Sequence, residues 1–208
     1  AYAVQSAQSA TTSQIVTGNV TLNVGASAPF QTITAALRSL DDKVIRGRVT
    51  IQVADGSYAE PGALVVDHPD AKRIRIRGNS TNAAAVIVNF TSPGALSVGP
   101  ASALGGIEGL TLRRPAVVAA QNVGINVWGS SFASLGPNLR LEGFNFGVQV
   151  ELASSIDATG VTVVGAGAND GAGITMSSSS GGYINQSSVS QTGTAYGSFG
   201  ASFALVNG

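Results

Sequence analysis

The sequence has no cysteine, which excludes disulfide bonds and thiolate metal sites. Charged residues are scarce, at 11% of the 208 residues, and histidine and tryptophan occur once each. No apolar run reaches the roughly 18 residues of a membrane-spanning helix, so we expect no membrane insertion. The chain is instead rich in glycine, with 27 residues, and in small aliphatic residues, a composition suited to thin layers joined by tight corners.

The few charges are unevenly distributed along the chain. Residues 1–140 hold 11 basic and 7 acidic side chains, a balance of +4, whereas residues 141–208 hold 4 acidic ones and no basic one, a balance of −4. No charged residue follows Gly171. Because so uncharged a surface is unusual in a free monomer, we expect this part to be covered by sister chains of a homotrimer or by further residues of a longer chain. A net charge of zero, with aromatics that do not interleave with arginines, argues against nucleic acid as a partner.

Short runs that begin with glycine recur in the second half of the chain. They start at residues 124, 147, 173 and, more loosely, 200, so successive starts are 23, 26 and 27 residues apart. Two further sets of strand-like runs lie between them, at 110–112, 139–141, 161–163 and 188–190, and at 103–105, 134–136, 155–157 and 183–185. Three short strands per cycle, with no helix inside the cycle, are typical of a solenoid whose coils stack strand upon strand.

The first half of the chain adds a capping element to this pattern. Ile33, Ala36, Leu37 and Leu40 have helical spacing, which predicts an α-helix at about 29–40. A helix at this place would cover the open N-terminal end of the strand stack. Residues 1–18 are polar and aperiodic, and we interpret them as an arm or linker that is followed by one β-helix domain over 19–208.

Several stretches near the N terminus resemble a known family. They are Pro-Phe-Gln-Thr-Ile at 29–33, Val-Thr-Ile-Gln-Val-Ala-Asp-Gly-Ser-Tyr-Ala-Glu at 49–60 and Ile-Arg-Ile-Arg-Gly at 74–78. Together they resemble the opening of pectin-lyase-like proteins, which include pectin methylesterases and phage tailspikes. The resemblance implies an all-β, single-stranded, right-handed parallel β-helix. The Gly-x-x-x-Gln-Ala-Val motif, the aspartate-rich strand and the later arginine of methylesterases do not follow Gly78, so no catalytic residue of that family is carried over and no cofactor is expected.

Aligning the repeats predicts a basic stripe on the outer surface. The apolar members of the runs point inward, so the residues between them form outward rows with a spacing of about 4.8 Å. The rows are Arg75, Thr111, Arg140 and Thr162, and beside them Arg77, Arg113, Glu142 and Val164. Guanidinium groups match carboxylates and phosphates, so Arg75, Arg113 and Arg140 are candidate ligands of an acidic polysaccharide. The alternative is a solvated face, or a subunit contact, in which Arg113 pairs with Glu142.

A second candidate site lies on a neighbouring row. The alignment places Asn126, Gln149 and Thr175 in one outward polar row, with Trp128, Glu151 and Ser177 just after the strands. An indole offers a sugar a flat apolar face, and a carboxylate or amide beside it bonds the hydroxyls, so Trp128, Asn126 and Gln149 are candidate carbohydrate ligands. Glu151, Asp157 and Glu142 are candidate catalytic acids and bases. The alternative is that Trp128 packs in a corner or a subunit contact and that the acids are solvated.

Other polar features favour structural interpretations. Asparagine and Ser/Thr side chains at the corners are expected to stack in ladders that close the turns, for example at Asn126, Asn145 and Asn185. His68 lies between Asp67 and Asp70 in a stretch that indicates a surface turn, and a metal or acid/base site with these aspartates is the alternative. Asp170 lies in a stretch whose Gly, Asn and Asp residues are typical of calcium-binding loops. The nonapeptide repeat of such loops is absent, so no metal is expected.

The resemblance, together with the uncharged C-terminal coils, the arm at the start and the missing catalytic motifs, favours a receptor-binding module of the phage tail-fibre or tailspike type. Such a module would be homotrimeric, would attach to a bacterial surface polysaccharide such as O-antigen or capsule, and would lie in the virion tail. The first alternative is a polysaccharide-degrading hydrolase or lyase of the same fold, secreted or on a bacterial cell surface. The second is a structural β-helix stalk whose outer rows contact only water and sister chains. Fold alone does not decide among the three.

Overall fold

The structure is a computed structural model that describes residues 14–115, 122–165 and 172–190, together with the backbone of residues 194–198 and 203–207. In these residues the chain forms 22 β-strands, one α-helix and two short 3-10 turns. The 3-10 turns are Ala71–Arg73 and Ala83–Ala85. All strands but two belong to three parallel sheets.

From β4 onward, consecutive strands visit the three sheets in turn, so each coil of the solenoid adds one strand to each sheet. Sheet 1 has eight strands, β2 (Val20–Val24), β4 (Val49–Val53), β7 (Ile74–Arg77), β10 (Ala103–Glu108), β13 (Phe132–Leu135), β16 (Ser155–Thr159), β19 (Gly181–Asn185) and β22 (Phe203–Asn207). Sheet 2 has six, β5 (Gly56–Glu60), β8 (Val86–Phe90), β11 (Thr111–Arg113), β14 (Leu139–Phe144), β17 (Val161–Gly165) and β20 (Ser188–Ser190). Sheet 3 also has six, β6 (Leu64–Val66), β9 (Gly94–Val98), β12 (Val123–Val127), β15 (Phe146–Val150), β18 (Ala172–Met176) and β21 (Thr194–Ser198). The strand pairs are parallel throughout, which confirms the predicted all-β parallel solenoid.

The core is a set of aliphatic rows that run from coil to coil. One row on sheet 1 is Ile51, Ile76, Ile107, Leu135, Ala158 and Ile184, each paired in register with the next. Every member of this row is buried. Burial of a full aliphatic side chain contributes about 1.5–3 kcal/mol, and each coil repeats the contribution. The period-2 alternation of the strands therefore supplies a continuous apolar interior.

Neutral side chains close two of the corners. Between sheets 2 and 3, the Asn122 amide donates to Asn145 Oδ1 at 2.6 Å, and the Asn145 backbone N–H donates to Asn122 Oδ1 at 2.8 Å. The predicted asparagine ladder thus includes Asn145, but its partner is Asn122. Asn126 lies instead on sheet 3, and Asn185 lies in β19, in register with residues of β16 and β22. A ladder needs equivalent positions in successive coils, and residues 122 and 145 satisfy this condition because both directly precede a strand of sheet 3.

A serine ladder closes the corner between sheets 3 and 1. Its members are Ser102, Ser131, Ser154 and Ser180, all of them buried. The backbone N–H groups of the first three donate to the hydroxyl of the next member, at 3.2, 3.0 and 3.3 Å. Buried backbone donors at the corners are therefore satisfied without any charged group.

The capping helix α1 (Ile33–Arg38) is shorter than the sequence pattern predicts and begins four residues later than residue 29. The Thr32 side chain caps its N terminus by accepting a hydrogen bond from the Ala35 N–H at 3.1 Å. The helix buries Ile33, Ala36 and Leu37 and contacts β2, β4 and β6. Because β2 and β6 are the N-terminal edge strands of sheets 1 and 3, the helix covers the first coil as predicted.

A buried carboxylate joins this helix to sheet 2. Glu60, the last residue of β5, is only 3% exposed. Its oxygens accept hydrogen bonds from the Ile33 N–H at 2.6 Å, the Thr34 N–H at 3.2 Å and the Thr34 hydroxyl at 2.6 Å. Glu60 thus satisfies the free donors of the first helical turn, where negative charge is favourable.

Part of the predicted arm belongs to the fold. Strand β1 (Gln14–Val16) pairs in parallel with β3 (Lys43–Ile45) in a two-stranded sheet. Residues 1–13 lie outside the described residues. A three-residue strand with one neighbour is held mainly by backbone hydrogen bonds, so its sequence carries too little alternation to be recognised.

Candidate functional site

The predicted polar row on the outer surface of sheet 3 is present. Ser97, Asn126, Gln149 and Thr175 pair in register from coil to coil. Asn126 and Gln149 are half-buried, but Thr175 is buried, with its hydroxyl 3.5 Å from the Val148 carbonyl oxygen. The sequence alignment missed Ser97, which occupies in the preceding coil the position that Asn126 occupies in its own.

The positions just after the strands are also equivalent, as predicted. The backbone N–H of Trp128 donates to Val98 O at 3.0 Å, that of Glu151 to Val127 O at 2.9 Å, and that of Ser177 to Val150 O at 2.9 Å. The parallel backbone pairing of sheet 3 therefore extends one residue beyond the end of each strand. Trp128 and Glu151 lie in adjacent coils, separated by about one interstrand spacing of 4.8 Å.

The Trp128 ring leans away from Glu151, toward the preceding coil. Its Nε1 donates to Ser97 Oγ at 3.2 Å. A Cβ atom on Gly99 would lie 3.1 Å from the indole Nε1 and 2.4 Å from Trp128 O, and Gly99 has φ of +155°. Glycine at this position therefore makes room for the indole and adopts a backbone conformation that other residues avoid. The ring is half-buried and its orientation is held by a hydrogen bond.

Polar groups flank the indole on the same surface. Gln149 Nε2 donates to Glu151 Oε1 at 3.0 Å. Asn126 Oδ1 is buried and has no hydrogen-bond partner among the residues that the structure describes. A buried acceptor without a donor is costly, whereas the rest of this half-buried side chain is partly exposed on the outer surface. We call the group formed by Ser97, Asn126, Trp128, Gln149 and Glu151 the tryptophan site.

The predicted basic stripe is correct in register for three of its four coils, since Thr111, Arg140 and Thr162 pair on sheet 2, as do Arg113, Glu142 and Val164. It is wrong for the first coil, which holds Arg75 and Arg77. Arg75 lies on sheet 1, where it pairs with Thr50 and Gly106. Thr111 and Arg140 lie on sheet 2 and pair with each other. The alignment matched 74–76 with 110–112, but β8, β9 and β10 intervene, and the strand over β7 is β10. The arginines therefore divide between two sheets.

Thr111 is in register with Arg140 in the outward row but is not exposed. It is fully buried, and its hydroxyl donates to Ala83 O at 2.9 Å. The 3-10 turn Ala83–Ala85 thus lies against this position. The outward row on sheet 2 contains Arg140 and, in the neighbouring row, Arg113 and Glu142.

Arg113, Arg140 and Glu142 form one charged cluster. Arg113 Nε donates to Glu142 Oε2 at 2.6 Å, which confirms the predicted pairing, and Arg140 Nε donates to Glu142 Oε1. Burial raises the pKa of Glu142, but hydrogen bonds and charge from the two arginines outweigh it, so the pKa lies below the usual glutamate value. Glu142 is therefore a stable carboxylate, poorly suited to donate a proton, and it occupies two of the candidate polysaccharide ligands.

The three candidate catalytic carboxylates lie on three different surfaces. Glu142 is on sheet 2, Glu151 follows the last residue of β15 on sheet 3, and Asp157 is exposed on sheet 1 in register with Ser134 and Tyr183. A glycosidase pair requires two carboxyl groups within about 5–9.5 Å across one sugar. The strand order brings no two of the three onto one sheet, and a catalytic role for any of them stays a prediction.

His68 is more buried than the predicted surface turn implies, at 9% exposure. Its Nδ1 accepts a hydrogen bond from the Asp70 N–H at 2.9 Å, so Nε2 carries the hydrogen and donates to Lys43 O at 3.0 Å. Asp70 Oδ2 in turn accepts from the Ile45 N–H at 2.9 Å. The turn is thus bound to strand β3, and both ring nitrogens are engaged with backbone.

Neither a metal site nor a membrane-spanning helix is present in the described part of the chain. Within residues 14–115, 122–165 and 172–190, no three His, Asp or Glu side chains form a group that could hold a metal ion. Asp170 lies outside the described residues. No helix in the same residues has the length and apolar character needed to cross a bilayer.

Comparison with known proteins adds no assignment. No family model matches the chain, and neither a curated protein nor a solved structure matches it significantly. The likeness to pectin-lyase-like proteins therefore rests on the β-solenoid architecture and on the short N-terminal stretches.

Proposed function

We propose that this chain is a glycan-binding β-solenoid of the phage tail-fibre or tailspike type, which attaches a virion tail to a bacterial surface polysaccharide such as O-antigen or capsule. The observation that carries the proposal is the tryptophan site. A half-buried indole, the half-buried Asn126 side chain and a Gln149–Glu151 pair lie side by side on one outer surface. Sugars are bound by this combination of a flat apolar face and a few oriented polar groups.

The surface favours binding over cleavage. The three candidate carboxylates are distributed over three sheets, and Glu142 is held as a carboxylate by two arginines. The interior is filled by aliphatic rows, so a long polymer would lie along the outer rows. Successive coils present similar positions at about 4.8 Å intervals, which suits a ligand that extends over several coils.

Binding to purified capsule or O-antigen polysaccharide, measured by isothermal titration calorimetry, tests the tryptophan site. We expect Trp128→Ala to weaken binding about tenfold or more, because a truncated aromatic anchor typically costs at least about 1.4 kcal/mol. The matched control is Phe132→Ala, which removes another partly exposed aromatic from sheet 1. Trp128→Phe, which keeps a ring, should bind better than Trp128→Ala. Equal binding by all the variants, or an equal loss in the control, would contradict the proposal.

A product assay separates binding from degradation. The polysaccharide is incubated with the protein, and new reducing ends or unsaturated sugars are measured. We expect the polymer to stay intact. If the polymer is shortened and Glu151→Gln or Asp157→Asn abolishes the shortening, the chain is a hydrolase or lyase of the same fold and the binding proposal is wrong.

The proposed assembly is a homotrimer whose C-terminal coils contact one another. The support is the lack of any charged residue after Gly171, since charge normally keeps a free surface soluble. Analytical ultracentrifugation at micromolar concentration should give the mass of three 20.7 kDa chains. A stable monomer under these conditions would rule out this part of the proposal.

A further inference from the structure

We propose that a cleft at the N-terminal coils is a second binding site, specific for the phosphate or sulfate groups of an anionic ligand. The cleft has a volume of about 320 Å³. We call it the anion cleft, and it is lined by Asn19, Arg46, Gly47, Arg48, Lys72, Arg73 and Arg75. The tryptophan site shares no residue with it.

One wall of the anion cleft is the segment between β3 and β4. The backbone N–H groups of Arg46 and Gly47 donate to Val16 O at 2.9 and 3.0 Å. The Arg48 N–H donates to Asn19 Oδ1 at 3.0 Å. A Cβ atom on Gly47 would lie 2.0 Å from Gly18 O, so only glycine permits this close approach. The two arginines therefore project from a backbone that is held in place.

The other wall comes from the next coil. Lys72 and Arg73 end the 3-10 turn Ala71–Arg73, and the Arg73 N–H donates to Asp70 O at 2.9 Å. Arg75 is exposed on the outer face of β7, and its side chain lies over Gly106, where a Cβ atom would contact its stem at 3.6 Å. Stacking of the two coils thus brings together cations that are up to 29 residues apart in the sequence.

The charge of this cleft is not neutralised within the described residues. Five of the seven lining residues are cationic and none is acidic. None of the five takes part in an ion pair; the pairs of the described chain are Lys43–Asp42, Arg77–Glu108, Arg113–Glu142 and Arg140–Glu142. Asp70, two residues before Lys72, accepts a hydrogen bond from the Ile45 N–H and forms no ion pair with these cations. Like charges that converge in this way repel one another, and a multivalent oxyanion would relieve the repulsion.

The chemistry of the lining favours phosphate or sulfate over other anions. Four of the five cations are arginines, whose planar forks bind tetrahedral oxyanions with two parallel hydrogen bonds. No aromatic residue lines the cleft in the described chain, so it lacks the stacking surface of single-stranded nucleic acid sites. The group would be carried by a polysaccharide or occur as a free ion.

Calorimetric titration with pyrophosphate tests the cleft directly. The cleft variant is Arg48→Gln, Arg73→Gln and Arg75→Gln together, and the control is Arg38→Gln, Arg77→Gln and Arg113→Gln, which removes the same net charge elsewhere. We expect the Kd for pyrophosphate to rise about tenfold or more in the cleft variant, as charged hydrogen bonds are lost, and less than about threefold in the control. Absence of binding to the unmodified protein, or an equal loss in both variants, would overturn the proposal. Thermal unfolding of each variant shows whether the fold is retained, which we expect because the substituted cleft side chains are exposed.

Polymer probes distinguish the sources of the anion. Dextran sulfate should bind equally well to the unmodified protein and to Trp128→Ala, and its binding should be lost in the cleft variant. Any binding of unsubstituted dextran should be the same in the cleft variant as in the unmodified protein. If pyrophosphate binds and dextran sulfate does not, the ligand is a free ion and the polysaccharide source is wrong. Tighter binding of oligo-dT than of dextran sulfate, lost in the cleft variant, would overturn the glycan assignment in favour of nucleic acid.

These outcomes are independent of the proposed glycan function. If no bacterial polysaccharide binds to the tryptophan site but pyrophosphate binds to the cleft, the proposed function fails and the cleft stands. If Trp128→Ala abolishes polysaccharide binding and pyrophosphate does not bind, the cleft fails and the proposed function stands.

Discussion

The N-terminal and C-terminal coils are stabilised by different chemistry on the same fold. Residues 14–115 hold all but one of the 11 basic side chains, and their end is closed by a helix that a buried glutamate caps. In residues 122–190 the corners are closed by asparagine and serine ladders. Both solutions satisfy buried backbone donors, but the first depends on a charge and the second does not.

The difference shows where a solenoid needs charge. An end coil has no neighbour on one side, so its free backbone groups must be covered by a separate element. Glu60 provides this link between α1 and sheet 2. Interior corners have a neighbour on each side, and identical neutral side chains can bond from coil to coil at about 4.8 Å.

Glu60→Ala should remove the charged link between the capping helix and sheet 2 and cause the largest loss of stability. It leaves the N–H groups of Ile33 and Thr34 without their acceptor in a buried place, and we expect the free energy of unfolding to fall by about 3 kcal/mol. Urea denaturation measures the change. Glu60→Gln keeps one acceptor oxygen and should lose less. The control Glu108→Ala removes a carboxylate that pairs with the half-exposed Arg77 and should cost about 1 kcal/mol or less; an equal loss in the control would show that Glu60 has no special role.

Asn122→Ala should disrupt the uncharged asparagine ladder and lower stability by a smaller amount. It removes the acceptor of the Asn145 N–H and the donor to Asn145 Oδ1, both buried, and we expect a loss of about 2 kcal/mol in urea denaturation. Asn126→Ala is the matched control, because its Oδ1 has no partner among the described residues; since the substitution removes an unpaired buried acceptor and no hydrogen bond of that atom, it should not lower stability. Equal losses in the two variants would mean that the ladder contributes nothing specific.

Glu142→Gln removes the charge that links Arg113 of the N-terminal coils to the C-terminal coils. We expect the smallest loss of stability for this variant. Hydrogen bonds and charge from Arg140 and Arg113 lower the pKa of Glu142 despite its burial. Because the folded pKa is below the unfolded one, the stabilisation is complete above the ordinary glutamate pKa and is lost as pH falls through the lowered folded value. We expect a cost of about 0.5–1 kcal/mol near neutral pH for this solvent-screened cluster.

The measurement for this variant is the free energy of unfolding as a function of pH. The difference between the unmodified protein and Glu142→Gln should shrink as the pH falls below the ordinary glutamate pKa of about 4.3 and through the lowered folded value, where the carboxylate becomes protonated. A difference that stays constant over this range would show that the cluster does not stabilise the fold through its charge.

The fold was largely predictable because its information is local. Alternation along a strand depends only on neighbouring residues, and runs such as Ile74–Arg77 and Val161–Gly165 show which side chains enter the core. The placement of the tryptophan site, apart from Ser97, was predicted for the same reason: Asn126 and Gln149 lie in glycine-led runs, and Trp128 and Glu151 directly follow them.

The partners of charged residues were not predictable in the same way. The basic stripe failed in its first coil because the alignment placed the run at 74–76 beneath the run at 110–112, whereas loops of unequal length place it beneath β10. Glu60 caps a helix 27 residues earlier in the chain, and no local pattern connects it with Ile33. The signal that was missed was the repeated basic residue before or within strands β4 and β7.

By itself, the sequence determined that this chain coils into parallel sheets around an aliphatic interior, since inward and outward positions follow from alternation within each strand. The tertiary structure alone decided which coil lies over which, and with it the convergence of Arg46, Arg48, Lys72, Arg73 and Arg75 on one cleft. The physical reason is that coil-to-coil register depends on the length and closure of every corner, which is a property of the assembled backbone and not of any single run of residues.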